Sequence, residues 1–323
     1  MGDVVLTLPL AGILKEYYPD SFIYFLAENY AAPIINSSVY IDKFISWTQM
    51  KNLPQSGRVE VFRNLHADAV IHVFPSLQIA KSAKKAKIPL RIGSGRRLCN
   101  LFYCNKNLFF SRRKSNLHES QLNINLLEPL GIFQEFNLSD IQKYYGLGRI
   151  PSLESRFARL LSKYHFNLIL HPKSRGSARE WGLENFSKLI GMLPEEKFKI
   201  FITGTKEEGK SLHEFVGKHR ERLTDLTGKL TLEQLISFIS KADGLVAAST
   251  GPLHIAAALG RIAIGLYAPM RPIHPGRWAP VGDRAYVLVQ DKECKKCKSG
   301  GICECIRNLG PQMIKDILDT IVR

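Results

Sequence analysis

The sequence predicts an α/β protein built as two parallel-sheet domains, and three observations predict it. Short apolar runs rich in β-branched and aromatic residues alternate with stretches of helical spacing along the chain, the pattern of βαβ units. The length of 323 residues suits two domains of about 150 residues each. A polar interval from Ser139 to Arg159, with Gly146, Gly148 and Pro151, divides the chain near its middle. The expected domains are therefore 1–150 and 151–323. Two such domains leave a cleft, a natural ligand site near the C-terminal strand ends.

In chain order, the apolar run Val4 to Leu10 leads into a helical stretch over Ala11–Tyr18, which a Pro19-Asp20 turn ends. Ser21–Leu26 (SFIYFL) and Ala69–Phe74 (AVIHVF) read as strands. Leu77–Ala86 is helical with a basic side. Leu117–Leu130 carries Leu122, Leu126, Leu127 and Leu130 at helical spacing, with Gly131 placed to cap it. In the second half the expected strands are Asn167–Leu170, Phe198–Thr203, Gly244–Ala248 and Ile262–Tyr267. The expected helices there are Glu184–Met192, Lys206–Lys218, Leu232–Ser240 and one starting at His254.

Composition narrows the function classes. Hydrophobic residues at 45% and charged residues at 23% fit a globular protein and exclude a disordered chain. Lys and Arg number 45 against 29 Asp and Glu, a formal charge of +16, so an anionic partner is expected. No segment approaches ~18 unbroken apolar residues, so no transmembrane helix is expected. The opening MGDVVLTLPL has no basic region of the secretory kind. Six cysteines are too few for a disulfide scaffold, and the expected compartment is cytoplasmic.

Three local patterns carry chemistry. Ser249-Thr250-Gly251-Pro252-Leu253-His254 follows an apolar strand and opens a helix. Free backbone N–H groups and the helix dipole favour a phosphate there, although an ordinary strand–turn–helix junction capped by Ser249 or Thr250 has the same pattern. His171-Pro172-Lys173-Ser174-Arg175-Gly176-Ser177-Ala178-Arg179-Glu180-Trp181 forms a basic loop after a strand and before a helix, again suited to phosphate. Asp3 offers a carboxylate that serves either as a general base or as a plain helix cap.

Together these pieces resemble glycosyltransferase family 9, the heptosyltransferases of the lipopolysaccharide inner core. MGDVVLTLP is similar to the family's Gly-Asp-Val segment and HPKSRGSAREW to its His-Pro-Gly-Ser…Lys-x-Trp loop. LTGKLTLEQLISFISKADGLVAASTGPLHIAAALG resembles its Asp-Ser/Thr-Gly-Pro-x-His block, and YAPMRPIHPGRW its Gly-Pro-Thr segment. The resemblance runs nearly end to end. It implies a GT-B architecture: two Rossmann-like domains facing a central cleft, acceptor on the first, donor nucleotide on the second. It also implies inverting transfer of heptose from a nucleotide-diphosphate donor, typically ADP-L-glycero-D-manno-heptose, to a lipopolysaccharide core or similar lipid-linked saccharide. Two residues depart from the family pattern. Ser249 stands where the family has an Asp, and Arg179 where it has the Lys before x-Trp. The family also has a strand before Gly-Asp, so the first domain is expected to lack its first strand, with a true start upstream of Met1 favoured.

The resemblance and the residues assign roles as follows. Asp3 is the base on the acceptor hydroxyl. Lys173, Arg179 and the Thr250–Gly251 helix start bind the diphosphate, and Ser249 lies beside the donor sugar. Glu207 or Glu208 hydrogen-bonds the ribose, unless both are simply first-turn helix acids. His254 is either a donor-site residue or a structural histidine under the loop. No Asp-x-Asp occurs, so neither metal nor cofactor is expected.

The run KSAKKAKIPLRIGSGRR, residues 81–97, carries seven Lys or Arg, with Arg112, Arg113 and Lys114 beyond it. Lys84, Lys85, Arg96 and Arg97 are expected to meet an anionic acceptor and the inner face of an anionic membrane, unless the run is only a solvated helix face. No helix-turn-helix, zinc-finger or RNA-binding motif accompanies the charge, so nucleic acid is not expected. Cys294, Cys297, Cys303 and Cys305 crowd into 12 residues and offer four thiols to zinc, although the C-x-C end is atypical of structural zinc sites. Cys99 and Cys104 read as core or loop residues. Ser249 also leaves a second functional reading: a catalytically weak member serving as a binding subunit in envelope polysaccharide assembly.

Overall fold

The computed structural model describes residues 1–112, 114–271, 273–290 and 303–322. The chain forms two compact units, one of Thr7–Gly146 and one of Met1–Leu6 with Leu147–Arg323. The expected boundary near residue 150 thus falls at Gly146–Leu147. The first six residues, expected in the first domain, pack with the second instead. They form α1 (Gly2–Val5), which lies against a helix of the second unit described below.

The Thr7–Gly146 unit begins with α2 (Pro9–Tyr17), where Pro9 occupies the first turn and so loses no helix hydrogen bond. Leu10, Ala11 and Ile13 form its buried face. Then come β1 (Tyr24–Ala27), β2 (Lys43–Ser46), α3 (Gln55–Asn64) and β3 (Ala69–His72). After them follow α4 (Leu77–Lys85), β4 (Leu90–Ser94), α5 (Leu98–Tyr103), β5 (Lys106–Leu108) and α6 (Glu119–Ile124). All pairings are parallel, but the strands make two sheets, β1-β2 and β3-β4-β5, with no ladder joining β1 to β3. Leu26 of β1, Ile45 of β2 and Val70 of β3 pack on the same apolar cluster of Met50, Phe62, Ala83 and Ile88. The long helix expected over Leu117–Leu130 stops at Ile124 and tightens to a 3₁₀ helix, Asn125–Leu130. Pro129 has no N–H to continue an α-helical ladder, and Gly131 closes the element at φ +84°.

The second unit has β6 (Phe166–His171), α7 (Leu183–Met192), β7 (Phe198–Ile202), α8 (Lys206–Lys218), β8 (Leu223–Asp225) and α9 (Leu232–Lys241). It continues with β9 (Gly244–Ala248), α10 (Gly251–Ala258), β10 (Ile262–Tyr267), β11 (Ala285–Val289) and α11 (Pro311–Ile321). Among the described residues, six strands make one parallel sheet in the order β11-β10-β9-β6-β7-β8. Strand order reverses between β6 and β9, the switch point where doubly wound sheets open a crevice for ligands. Both central strands are buried throughout except Phe166, as expected for a sheet covered on two faces. Leu189, Ile200, Leu212, Val246, Ile264 and Ile314 share its core.

Candidate functional site

At the C-terminal edge of the six-stranded sheet, the loops after β6, β7 and β9 are tied to one another. His171, the last residue of β6, is buried and its Nδ1 lies 2.9 Å from Thr203 Oγ1, just beyond β7. Burial holds the His171 imidazole below its usual range, against the opposing pull of Glu208 and Glu180, so it stays neutral. The loop that follows is organised by Glu180. Its Oε2 accepts from Lys173 Nζ at 2.7 Å and its Oε1 from the Ser174 N–H at 3.1 Å. Ser177 donates to the Ser249 carbonyl at 3.4 Å, joining this loop to the one after β9. Trp181 is buried and donates its indole N–H to the Leu309 carbonyl at 2.8 Å, which anchors the loop's far end. Lys173, expected to bind a diphosphate directly, is thus paired with Glu180. Arg179 sits half-buried in the same loop.

Ser249 and Thr250 follow β9, and Thr250 occupies the cap position of α10 without making a side-chain cap bond. Thr250 is buried, and its hydroxyl has no hydrogen-bond partner. Unsatisfied donors at the helix start and an unpaired buried hydroxyl beside them are the features of an anion cradle. Ser249 is close enough to the Tyr267 phenol to favour its ionised form, and the Tyr267 hydroxyl donates to the Trp278 carbonyl at 2.6 Å. Burial pushes the Tyr267 phenol up, so it remains a neutral donor.

The helix α1 meets α10 at two glycines. A Cβ on Gly2 would lie 2.8 Å from His254 Cδ2, and a Cβ on Gly251 would lie 2.6 Å from Met1 Cγ. A larger residue at Gly2 would press on the buried His254 ring, and one at Gly251 would displace the Met1 side chain. Asp3, exposed in the first turn of α1, is thereby brought to the same helix pair as the Thr250–Gly251 turn. His254 is buried beneath Gly2. Desolvation holds the Met1 amine below its usual range, with Asp3 pulling the other way.

Of the two ribose candidates, Glu208 serves its own helix. Its Oε2 accepts the Thr205 N–H at 2.7 Å, and its own N–H donates to Thr205 Oγ1 at 3.2 Å, a reciprocal cap on α8. It is buried, whereas Glu207 beside it is exposed. Sequence reasoning missed the roles of Glu180, Ser177 and Tyr267. Glu180 had one available signal, a lone carboxylate in a loop with three cations.

The four acceptor-side residues lie in the Thr7–Gly146 unit. Lys84 and Lys85 are in the last turn of α4, and Arg96 and Arg97 are exposed between β4 and α5. Lys84 Nζ donates to the Phe102 carbonyl at 2.9 Å. Arg112, which extends the basic run, is drawn inward. It pairs with the buried Glu119 and donates to Asn123 Oδ1 at 2.7 Å and to the Val73 carbonyl at 3.2 Å. Arg113, Cys294 and Cys297 lie outside the described residues, while Cys303 and Cys305 are buried in the apolar core of the second unit. Burial pushes the Cys104 thiol up to about 11. No helix among the described residues is long and apolar enough to cross a membrane.

The family model of glycosyltransferase family 9 (heptosyltransferase) matches residues 59–304. Lipopolysaccharide heptosyltransferase 3 of Escherichia coli K12 is 23% identical over 279 residues, covering 82% of this chain and 79% of its own. Among solved structures, a family 9 glycosyl transferase from Veillonella parvula superposes with a TM-score of 0.81 at 20% identity, over 100% of this chain and 94% of that one. The ADP-heptose lps heptosyltransferase II of Escherichia coli superposes with a TM-score of 0.75 at 18% identity, over 99% and 95%. The α/β fold with parallel sheets is therefore the GT-B fold of these enzymes.

Proposed function

The chain belongs to glycosyltransferase family 9 (heptosyltransferase), and from that premise we propose that it transfers heptose from ADP-heptose to a lipopolysaccharide core or similar lipid-linked saccharide, with inversion and without a metal. The observation that carries this reading is the Thr250 hydroxyl, buried and unpartnered at the uncapped start of α10, beside the switch point of the sheet. A diphosphate oxygen would satisfy it together with the first-turn N–H groups. Arg179 supplies the positive charge for the leaving ADP, and Lys173 acts through Glu180 to hold the loop in shape. Glu207 faces the ribose. Asp3 takes the proton from the acceptor hydroxyl as that oxygen attacks the anomeric carbon and the bond to the diphosphate breaks. Lys84, Lys85, Arg96 and Arg97 receive the anionic acceptor, and the same unit makes a peripheral contact with the cytoplasmic face of an anionic membrane. One observation favours the weaker-catalyst reading: Ser249 offers a hydroxyl where the family places a carboxylate on the sugar.

ADP release from ADP-heptose, with a heptose-deficient core as acceptor, tests the proposal. The wild type turns over equally with and without EDTA, and Asp3→Ala lowers the rate about 10²- to 10⁴-fold while ADP affinity stays the same. Wild-type turnover by Asp3→Ala removes Asp3 as the base. Loss of activity on chelation that Mg²⁺ or Mn²⁺ restores contradicts the metal-free site.

A further inference from the structure

The helix α5 (Leu98–Tyr103) is turned inside out. Its polar Asn100 is fully buried and donates to the Ser94 carbonyl at 3.0 Å, seated so closely that a Cβ on Gly93 would lie 2.6 Å from Asn100 Nδ2. Its apolar residues Leu98, Leu101 and Phe102, spaced i, i+3 and i+4, form one face, and that face points to solvent. Leu98 is 73% exposed and Phe102 68%, and Phe109, laid over Gly95 just before the helix, is 74% exposed. Three large apolar side chains at that exposure, gathered at one corner, are unusual for a surface with no partner.

The surrounding charge identifies the partner. Between Asp68 and Glu119 the sequence has no carboxylate residue, and residues 69–118 carry eleven of the chain's Lys and Arg. Arg96 and Arg97 precede the apolar face, and Lys84 closes its other end, bonded to the Phe102 carbonyl with its ammonium 5.6 Å from the Tyr103 ring centroid. An apolar face flanked by Arg96, Arg97 and Lys84, in a stretch of chain without a carboxylate, fits a surface with a hydrocarbon interior and a negative face. We propose that Leu98, Leu101, Phe102 and Phe109 insert into an anionic lipid bilayer while Arg96, Arg97 and Lys84 meet its headgroups. This rests on the membrane contact proposed above and gives that contact a defined place. The inward Asn100 fixes the helix in register, so the wedge is built into the fold.

Co-sedimentation of the full chain with phosphatidylcholine vesicles, with and without phosphatidylglycerol, tests it. The wild type binds the anionic vesicles and not the neutral ones. The triple variant Leu98→Ser/Leu101→Ser/Phe102→Ser loses binding by about tenfold or more, the scale expected for withdrawing Leu and Phe side chains from hydrocarbon. Its ADP affinity, read by calorimetry, stays at the wild-type value, which separates a lost wedge from a lost fold. The variant Phe102→Trp, read for fluorescence quenching by brominated lipid, shows quenching on anionic vesicles. A wild type that ignores anionic vesicles overturns both the wedge and the membrane contact. A wild type that binds while the triple variant binds equally, or a Phe102→Trp variant whose indole fluorescence is not quenched, overturns the wedge alone. A wild type that dimerises through this face, with the triple variant monomeric and vesicle binding unchanged, assigns the face to a second copy and also overturns the wedge.

Discussion

The two units use the same parallel-strand chemistry with different outcomes. In the second unit six of the described strands form one sheet, and β6 and β9 at its centre are almost wholly buried. In the first, five strands form two separate sheets, and β1 is only half-buried along its whole length. Both place a buried histidine at the C-terminal end of a strand that follows an apolar run. His171 reaches a partner, Thr203, on the next loop, whereas His72 Nε2 at the end of β3 has none. A continuous sheet supplies neighbouring loops close enough to tie together, and that is where the proposed ligand cradle lies. A divided sheet leaves polar ends unpaired and apolar strands half-wetted.

Core truncation should break the symmetry most strongly. Leu170→Ala, at the fully buried centre of β6, is expected to lower stability by about 2–5 kcal/mol, while Leu26→Ala on half-buried β1 costs about 1 kcal/mol. Urea unfolding of each variant checks this, and equal losses would mean that the first unit is as well packed as the second.

Acid should come next. Burial, with Arg91 adding to it, holds His72 at about 4 against an ordinary 6.5. The unfolded chain therefore takes up a proton before the folded one, and stability present above pH 6.5 is lost as pH falls toward 4. The full loss is about 3 kcal/mol. His72→Gln should flatten the slope of unfolding free energy against pH across that window. An unchanged slope would place the acid sensitivity elsewhere.

The legibility of the sequence follows the same divide. The helix Lys206–Lys218 is legible to the residue because Thr205 and Glu208 cap it through local bonds that a sequence pattern reveals. Gly244–Ala248 and Ile262–Tyr267 are equally plain, since central parallel strands are continuous apolar runs. In the first unit β4 is hidden in a run dominated by cations, because its LRIGS sequence places Arg91 and Gly93 among its apolar residues. The strands β5 and β8 span only three residues each, below any periodic signal. At the candidate site, the Ser249–His254 turn and the His171–Trp181 loop are visible as motifs. What each side chain does there is not, because it depends on partners distant in sequence. Ser177 reaches the Ser249 carbonyl, the Tyr267 hydroxyl reaches the Trp278 carbonyl, and Glu208 caps its own helix through Thr205. The packing of Met1–Leu6 on α10 is likewise a matter of two glycines, Gly2 and Gly251, far apart in the chain and invisible to a reading that follows it.

The central claim is that the nucleotide binds the continuous sheet of the second unit and not the divided one. Calorimetric titration of ADP into wild type, Arg179→Ala and Lys84→Ala tests it most directly. One charge-assisted contact to the diphosphate contributes about 1.5–3 kcal/mol, so Arg179→Ala should weaken ADP binding by about 10- to 150-fold. Lys84→Ala, in the other unit, should bind ADP as the wild type does. Equal affinities in all three proteins, or a loss confined to Lys84→Ala, would contradict the placement of the donor.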